Sequence, residues 1–151
     1  MIRPAWLVVA DKELGQHEID GEGNNPRVVE YHATTTLHAT QDSVAWCSSF
    51  VNWCMKQAGL EGTDSAAAKS WLEWGEALES PLLGCVCVIR QRAQGHDAAT
   101  GSTSGYHVGF WVGEKAGRLL LEGGNQSDSV KVSSFGLTTY EVVGYRWPKL
   151  A

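Results

Sequence analysis

Apolar residues at positions 47, 50, 51, 54 and 58 recur at the spacing that keeps one side of a helix against a core. This pattern predicts a helix that carries Cys47 in its first turn and stops at Gly59. Upstream, Pro4 to Leu14 reads as a helix with proline in its first turn and Gly15 as its stop, and Pro26 opens a short helix through Tyr31. The polar run from Thr34 to Ser43 suits an irregular lead that supplies caps for the Cys47 helix. A further helix is expected from about Ser65 to Leu78. After Pro81 the period changes. Cys85 to Arg90, Tyr106 to Val112, Arg118 to Glu122, Ser129 to Val132 and Val142 to Trp147 are short β-branched or aromatic runs between glycine-rich turns. Helices first and an antiparallel sheet afterwards predict an α+β domain.

Composition narrows the classes. A chain of 151 residues with 43% hydrophobic content has enough apolar matter for one domain with a core, and neither a repeat nor a linker divides residues 1–151. The net charge of −5 and the lack of a basic stretch argue against nucleic acid as a partner. The apolar run before Asp11 is too short for a signal-peptide core or a membrane span. The expectation is therefore a protein made in the cytoplasm, acting elsewhere only after release or export. Four cysteines permit a disulfide framework on paper. Cys47 and Cys54 lie two turns apart on one helix, however, and Cys85 and Cys87 alternate on one strand, so neither local pair has bonding geometry. Cys54, Cys85 and Cys87 read as small core residues, and the spacing does not make a zinc site.

Cys47 is the candidate nucleophile. Unpaired N–H groups and the positive end of the helix dipole favour a thiolate in the first turn. A thiolate needs a base to hold its proton and return it to a leaving group, and His107 in the strand starting at Tyr106 is placed to supply one. The remaining histidines, His17, His32, His38 and His96, fall in segments that read as exposed helix or loop. The third member of a triad must hold the imidazole in the correct tautomer. A hairpin about Lys115 puts side chains 121, 123 and 125 on the face of His107, which makes Asn125 the orienter. A one-residue bulge at Gly123-Gly124 would bring Glu122 there instead. The connection from Gln91 to Gly105 is longer than a hairpin needs and abuts His107, as a flap over a substrate would.

Five blocks in order resemble the CHAP (cysteine, histidine-dependent amidohydrolase/peptidase) and NlpC-type cell-wall peptidases. They are Trp46-Cys47-Ser48-Ser49-Phe50-Val51-Asn52-Trp53-Cys54, Ser70-Trp71-Leu72-Glu73-Trp74-Gly75, His107-Val108-Gly109-Phe110, Gly123-Gly124-Asn125-Gln126 and Gly144-Tyr145-Arg146-Trp147-Pro148. The resemblance implies a papain-like fold, N-terminal helices packed on a C-terminal antiparallel sheet. It implies hydrolysis of a peptidoglycan amide bond, within the stem peptide or between muramic acid and its first alanine. Carried over by position, Cys47 is the nucleophile, His107 the base and Asn125 the orienter. Gln41 stands at the offset of the oxyanion glutamine in papain-like enzymes. No cofactor or metal is implied. The expected partners are peptidoglycan and an inhibitor or immunity protein, with no membrane contact, and the expected state is a monomer. Two departures stand out. Glu122 lies one residue further from Asn125 than the CHAP pattern has its glutamate, and Gly84-Cys85 lacks the aspartate that such proteins commonly carry there.

Two other classes fit part of the sequence. Seven tryptophans suit a non-catalytic glycan-binding module, with Trp46 beside the nucleophile as the first candidate for a cleft wall. An acyl transferase would share the thioester and pass it to an amine.

Overall fold

The computed structural model describes residues 2–19, 24–36, 46–93, 97, 99–100, 102 and 104–149. Three α-helices come first: α1 (Ala5–Lys12), α2 (Pro26–His32) and α3 (Cys47–Gln57), followed by a 3₁₀ helix over Ala68–Glu73. Among the described residues six strands follow: β1 (Glu76–Leu78), β2 (Val86–Gln91), β3 (Tyr106–Lys115), β4 (Arg118–Gln126), β5 (Ser129–Gly136) and β6 (Tyr140–Trp147). They form one antiparallel sheet in the order β1-β6-β2-β3-β4-β5. The α+β class read from the sequence is the class observed.

The helices cover one face of the sheet. Trp6 and Leu7 of α1, Val28 and Tyr31 of α2, and Phe50, Val51 and Cys54 of α3 are buried in one cluster with Val86, Val88, Val108 and Phe110 of the sheet. Tyr31 is its hub, stacked on Trp46 at 5.7 Å and edge-on to Phe50 and Trp53 at 5.1 Å. The alternate residues of the strands point the other way. Cys87, Ile89, Leu119, Leu121, Phe135 and Tyr140 form a second buried cluster on the opposite face. Cys47, Cys54, Cys85 and Cys87 are all free and buried.

The expected helix from Ser65 to Leu78 is not formed; only Ala68–Glu73 is helical, and Glu76–Leu78 pairs with β6. Tertiary contacts override the local propensity. The Asn52 side chain accepts the N–H groups of Thr63 (2.8 Å) and Asp64 (3.0 Å), the Trp71 indole donates to Ser48 Oγ (2.9 Å), and the Trp74 indole donates to the Glu61 carbonyl (3.0 Å). These ties fix a tight turn that a regular helix could not satisfy.

The β3–β4 hairpin turns on two residues, Ala116 (φ 54°) and Gly117 (φ 75°), rather than about Lys115. Phe110 faces Glu122 across it, and no residue of β3 before Phe110 pairs with β4. Beyond Gly123 the β4–β5 register shifts before Gln126 meets Ser129. At the sheet's outer edge, Gly15 donates to the Val130 carbonyl (3.0 Å), Val130 to that of Gln16 (2.8 Å) and Glu18 to that of Asp128 (2.9 Å), which lays the chain after α1 against β5.

Candidate active site

Cys47 is the first residue of α3, as the periodicity predicts, and is nearly closed to solvent at 6% exposure. Its neighbours in the motif serve the fold. Ser48 Oγ donates to the Ser65 carbonyl (2.6 Å), and Ser49 Oγ meets His32 Nδ1 at 3.0 Å. Trp46 is fully buried and its indole donates to Glu18 (2.9 Å), so it walls no cleft. His32 is likewise fully buried, which corrects its reading as an exposed residue.

The N–H of Val108 points to the side where β4 would pair, because the Trp111 backbone, three residues on, bonds toward β2 through Cys85 and Gly84. This N–H is one of the groups that favour the thiolate form of Cys47. Burial pushes the Cys47 thiol above its ordinary value, and the N–H groups of Val108, Ser48 and Cys47 itself pull it back only in part. The expectation of a resting thiolate is thereby corrected. Desolvation outweighs the helix end.

His107 leaves β3 on the face opposite α3. Its ring packs on Phe135, with centroids 5.6 Å apart, and it lies opposite Ile89 in the β2–β3 ladder. His107 Nε2 meets Gln126 Oε1 at 3.0 Å. The Gln126 amide nitrogen donates to the carbonyls of Leu121 (3.0 Å) and Lys131 (2.9 Å), so the oxygen must face the ring. The neutral imidazole therefore carries its proton on Nε2, and the lone pair sits on Nδ1, which is buried without a hydrogen-bond partner. Burial pushes His107 down to about 4, against the Gln126 hydrogen bond and the charge of Asp97.

The orienting hydrogen bond assigned to Asn125 is thus made by Gln126. Asn125 adopts a left-handed backbone (φ 57°), and its Oδ1 is buried without a partner. Glu122 points to the helical face, as the hairpin reading has it, where Arg3 Nη2 stands 3.8 Å from its carboxylate. The glycine pair explains the arrangement. A Cβ on Gly123 would come within 2.6 Å of Gln126 Oε1, and one on Gly124 within 2.8 Å of both the Trp46 ring and Phe50 Cβ. One glycine clears the amide on the far face; the next lets the start of α3 touch β4.

Cys47 and His107 consequently flank β3 from opposite sides and are joined through the His107–Val108 peptide, without a hydrogen bond between them. Of the expected flap, Asp97 is buried and accepts from Tyr140 Oη (2.7 Å), Thr100 Oγ1 (3.0 Å) and the Ala99 N–H (3.0 Å). Gln41, His38 and His96 lie outside the described residues. No group of three or more histidine, cysteine or acidic residues arranged for a metal occurs among the described residues. No protein-family model matches the sequence, and no curated protein is similar to it.

Proposed function

We propose that the chain is a papain-like cysteine hydrolase of peptidoglycan amide bonds, formed as one domain, with Cys47 as nucleophile, His107 as base and Gln126 as the residue that sets the resting tautomer of His107. One observation carries this reading. The Gln126 amide forces the tautomer that leaves His107 Nδ1 free, one residue from an N–H that favours the Cys47 thiolate.

The described arrangement is a resting one. Thiol and imidazole are both neutral, since burial raises the first and lowers the second. Catalysis requires the imidazole to leave Gln126 for the face of β3 that carries Cys47, so that Nδ1 takes the thiol proton. The thiolate then attacks the peptide carbonyl, and the imidazolium protonates the departing amine. Water, deprotonated by Nδ1, hydrolyses the thioester and regenerates the thiol. The oxyanion falls to N–H groups at the start of α3. The wall is reached by release or export.

The test is reverse-phase analysis of defined muropeptides. The wild type should release one new amine and one new carboxylate, which also identifies the bond. Cys47→Ser and His107→Gln should abolish both while folding normally. Cleavage that survives Cys47→Ser would overturn the proposal. A transferase would yield no free carboxylate when an acceptor amine is abundant. The burial of Cys47 and His107 favours a second reading, a non-catalytic module with an inert thiol, in which no muropeptide is cut.

A further inference from the structure

The tryptophans left over from the core point to a second site. Trp6, Trp46, Trp53 and Trp71 are buried; Trp74, Trp111 and Trp147 are not fully so. Of these, Trp74 lines a cleft. It measures about 350 Å³, with Gly59, Leu60, Glu61 and Gly62 on one wall and Trp74, Gly75, Pro148 and Lys149 on the other.

Three features give this cleft a ligand chemistry. The Trp74 indole N–H is committed to the Glu61 carbonyl (3.0 Å) and its ring meets Trp71 edge-on at 4.9 Å. The ring is therefore held in place and has no donor left, so it recognises a ligand through its apolar surface. Glu61 and Lys149 are exposed and take part in no ion pair found among the described residues, which leaves an acceptor and a donor at the rim. The walls are preformed. A Cβ on Gly62 would collide with Asn52 Oδ1 and one on Gly75 with the Trp147 carbonyl, so both glycines keep backbone at the lining. A fixed aromatic ring, flat backbone walls and paired polar groups match a pyranose, which presents an apolar C–H face and a rim of hydroxyls.

We propose that this cleft binds one pyranose ring of a glycan strand, stacked on Trp74 with its hydroxyls bonded to Glu61 and Lys149. The choice of an amino-sugar polymer rests on the hydrolase reading; the stacking site does not. The larger cleft along β5, about 540 Å³, contains no tryptophan and is lined by Arg118, Lys131 and four serine or threonine hydroxyls among others, which suits a different ligand.

The experiment is calorimetric titration with chitotetraose, using the full chain and its Cys47→Ser variant, which cannot turn over. Both should bind alike. Trp74→Ala should weaken binding by about tenfold or more, Trp74→Phe should recover part of it, and Trp111→Ala should leave it unchanged. Glu61→Ala and Lys149→Ala, at exposed positions that leave folding intact, should each weaken binding by a smaller factor. No binding by the wild type, or binding indifferent to Trp74→Ala, Glu61→Ala and Lys149→Ala, would overturn the site. Binding retained by a chain that cuts no muropeptide would overturn only the catalytic reading.

Discussion

Glu122 and His107 are buried on opposite faces of the β3–β4 pair, and each departs from its ordinary pKa in the direction that removes its charge. Burial pushes Glu122 up to about 8, reinforced by Asp11 beside it and opposed by Arg3. Asp11 is itself held low: burial works to raise it, but Arg3, which donates to it at 2.8 and 2.9 Å, prevails. On the helical face the retained proton is thus shared within a charged group that ties α1 to β4. On the other face His107 hydrogen-bonds to a neutral amide, which fixes a proton on one nitrogen and leaves the other empty, and the charge of Asp97 does not offset its burial. A carboxylate pair with a guanidinium makes a clasp here; an amide partner leaves one imidazole nitrogen without a bond.

The largest test of this contrast is the pH dependence of stability. His107 is lowered from 6.5 in the unfolded chain to about 4 in the fold, so its contribution is complete above pH 6.5. It is lost as pH falls through 4, and amounts to roughly 3 kcal/mol. Glu122 has the opposite sign. Raised from 4.5 to about 8, it contributes fully below pH 4.5 and less as pH rises through 8. Urea midpoints measured across this range should lose their acid slope in His107→Gln and their alkaline slope in Glu122→Gln. An acid slope that persists in His107→Gln would place the titrating group elsewhere.

Gln126→Ala comes next. It removes acceptance from His107 and donation to two backbone carbonyls, leaving buried polar groups unpaired, and should destabilise by about 2 kcal/mol. Asn125→Ala, whose side-chain oxygen already lacks a partner, should cost less, about 1 kcal/mol for placing alanine in a left-handed backbone. The reverse order would return the orienting role to Asn125. The smallest effect contrasts two histidines off the β3–β4 pair. His32→Gln loses a buried ring packed on Ser49 and should cost about 1 kcal/mol, whereas His17→Gln, at an exposed position, should fall within about 0.5 kcal/mol of the wild type by the same measurement.

Periodicity made much of this arrangement legible. The start of α3 at Cys47, the face shared by His107 with positions 121 and 123, and the opposite face of Glu122 all follow from alternation along the sequence. The partner of His107 did not, because a bulge at two glycines shows no side chain by which its face can be counted. Gly123-Gly124-Asn125-Gln126 contained the signal: a left-handed residue after Gly-Gly absorbs one position, and parity then passes from Asn125 to Gln126. The place of His107 across β3 from α3 was equally hidden, since alternation fixes which side chains share a face but not which face the helices cover. The tie between Asn52 and the Thr63 turn is a long-range contact with no local pattern, which is why a helix was expected after Ser65.

The strap of Gly15 to Glu18 along β5 also protects the protein from itself. An uncovered outer strand offers its peptide groups to any other chain, the first step toward cross-molecular sheets. The strap occupies only the Asp128–Val130 end. Further along, Val132 is 44% exposed, and Arg118 reaches across to bond the Ser134 carbonyl and hydroxyl. A cation over that carbonyl and Lys131 beside Val132 discourage an incoming strand where backbone cover ends, so charge guards one half of this edge and hydrogen bonding the other.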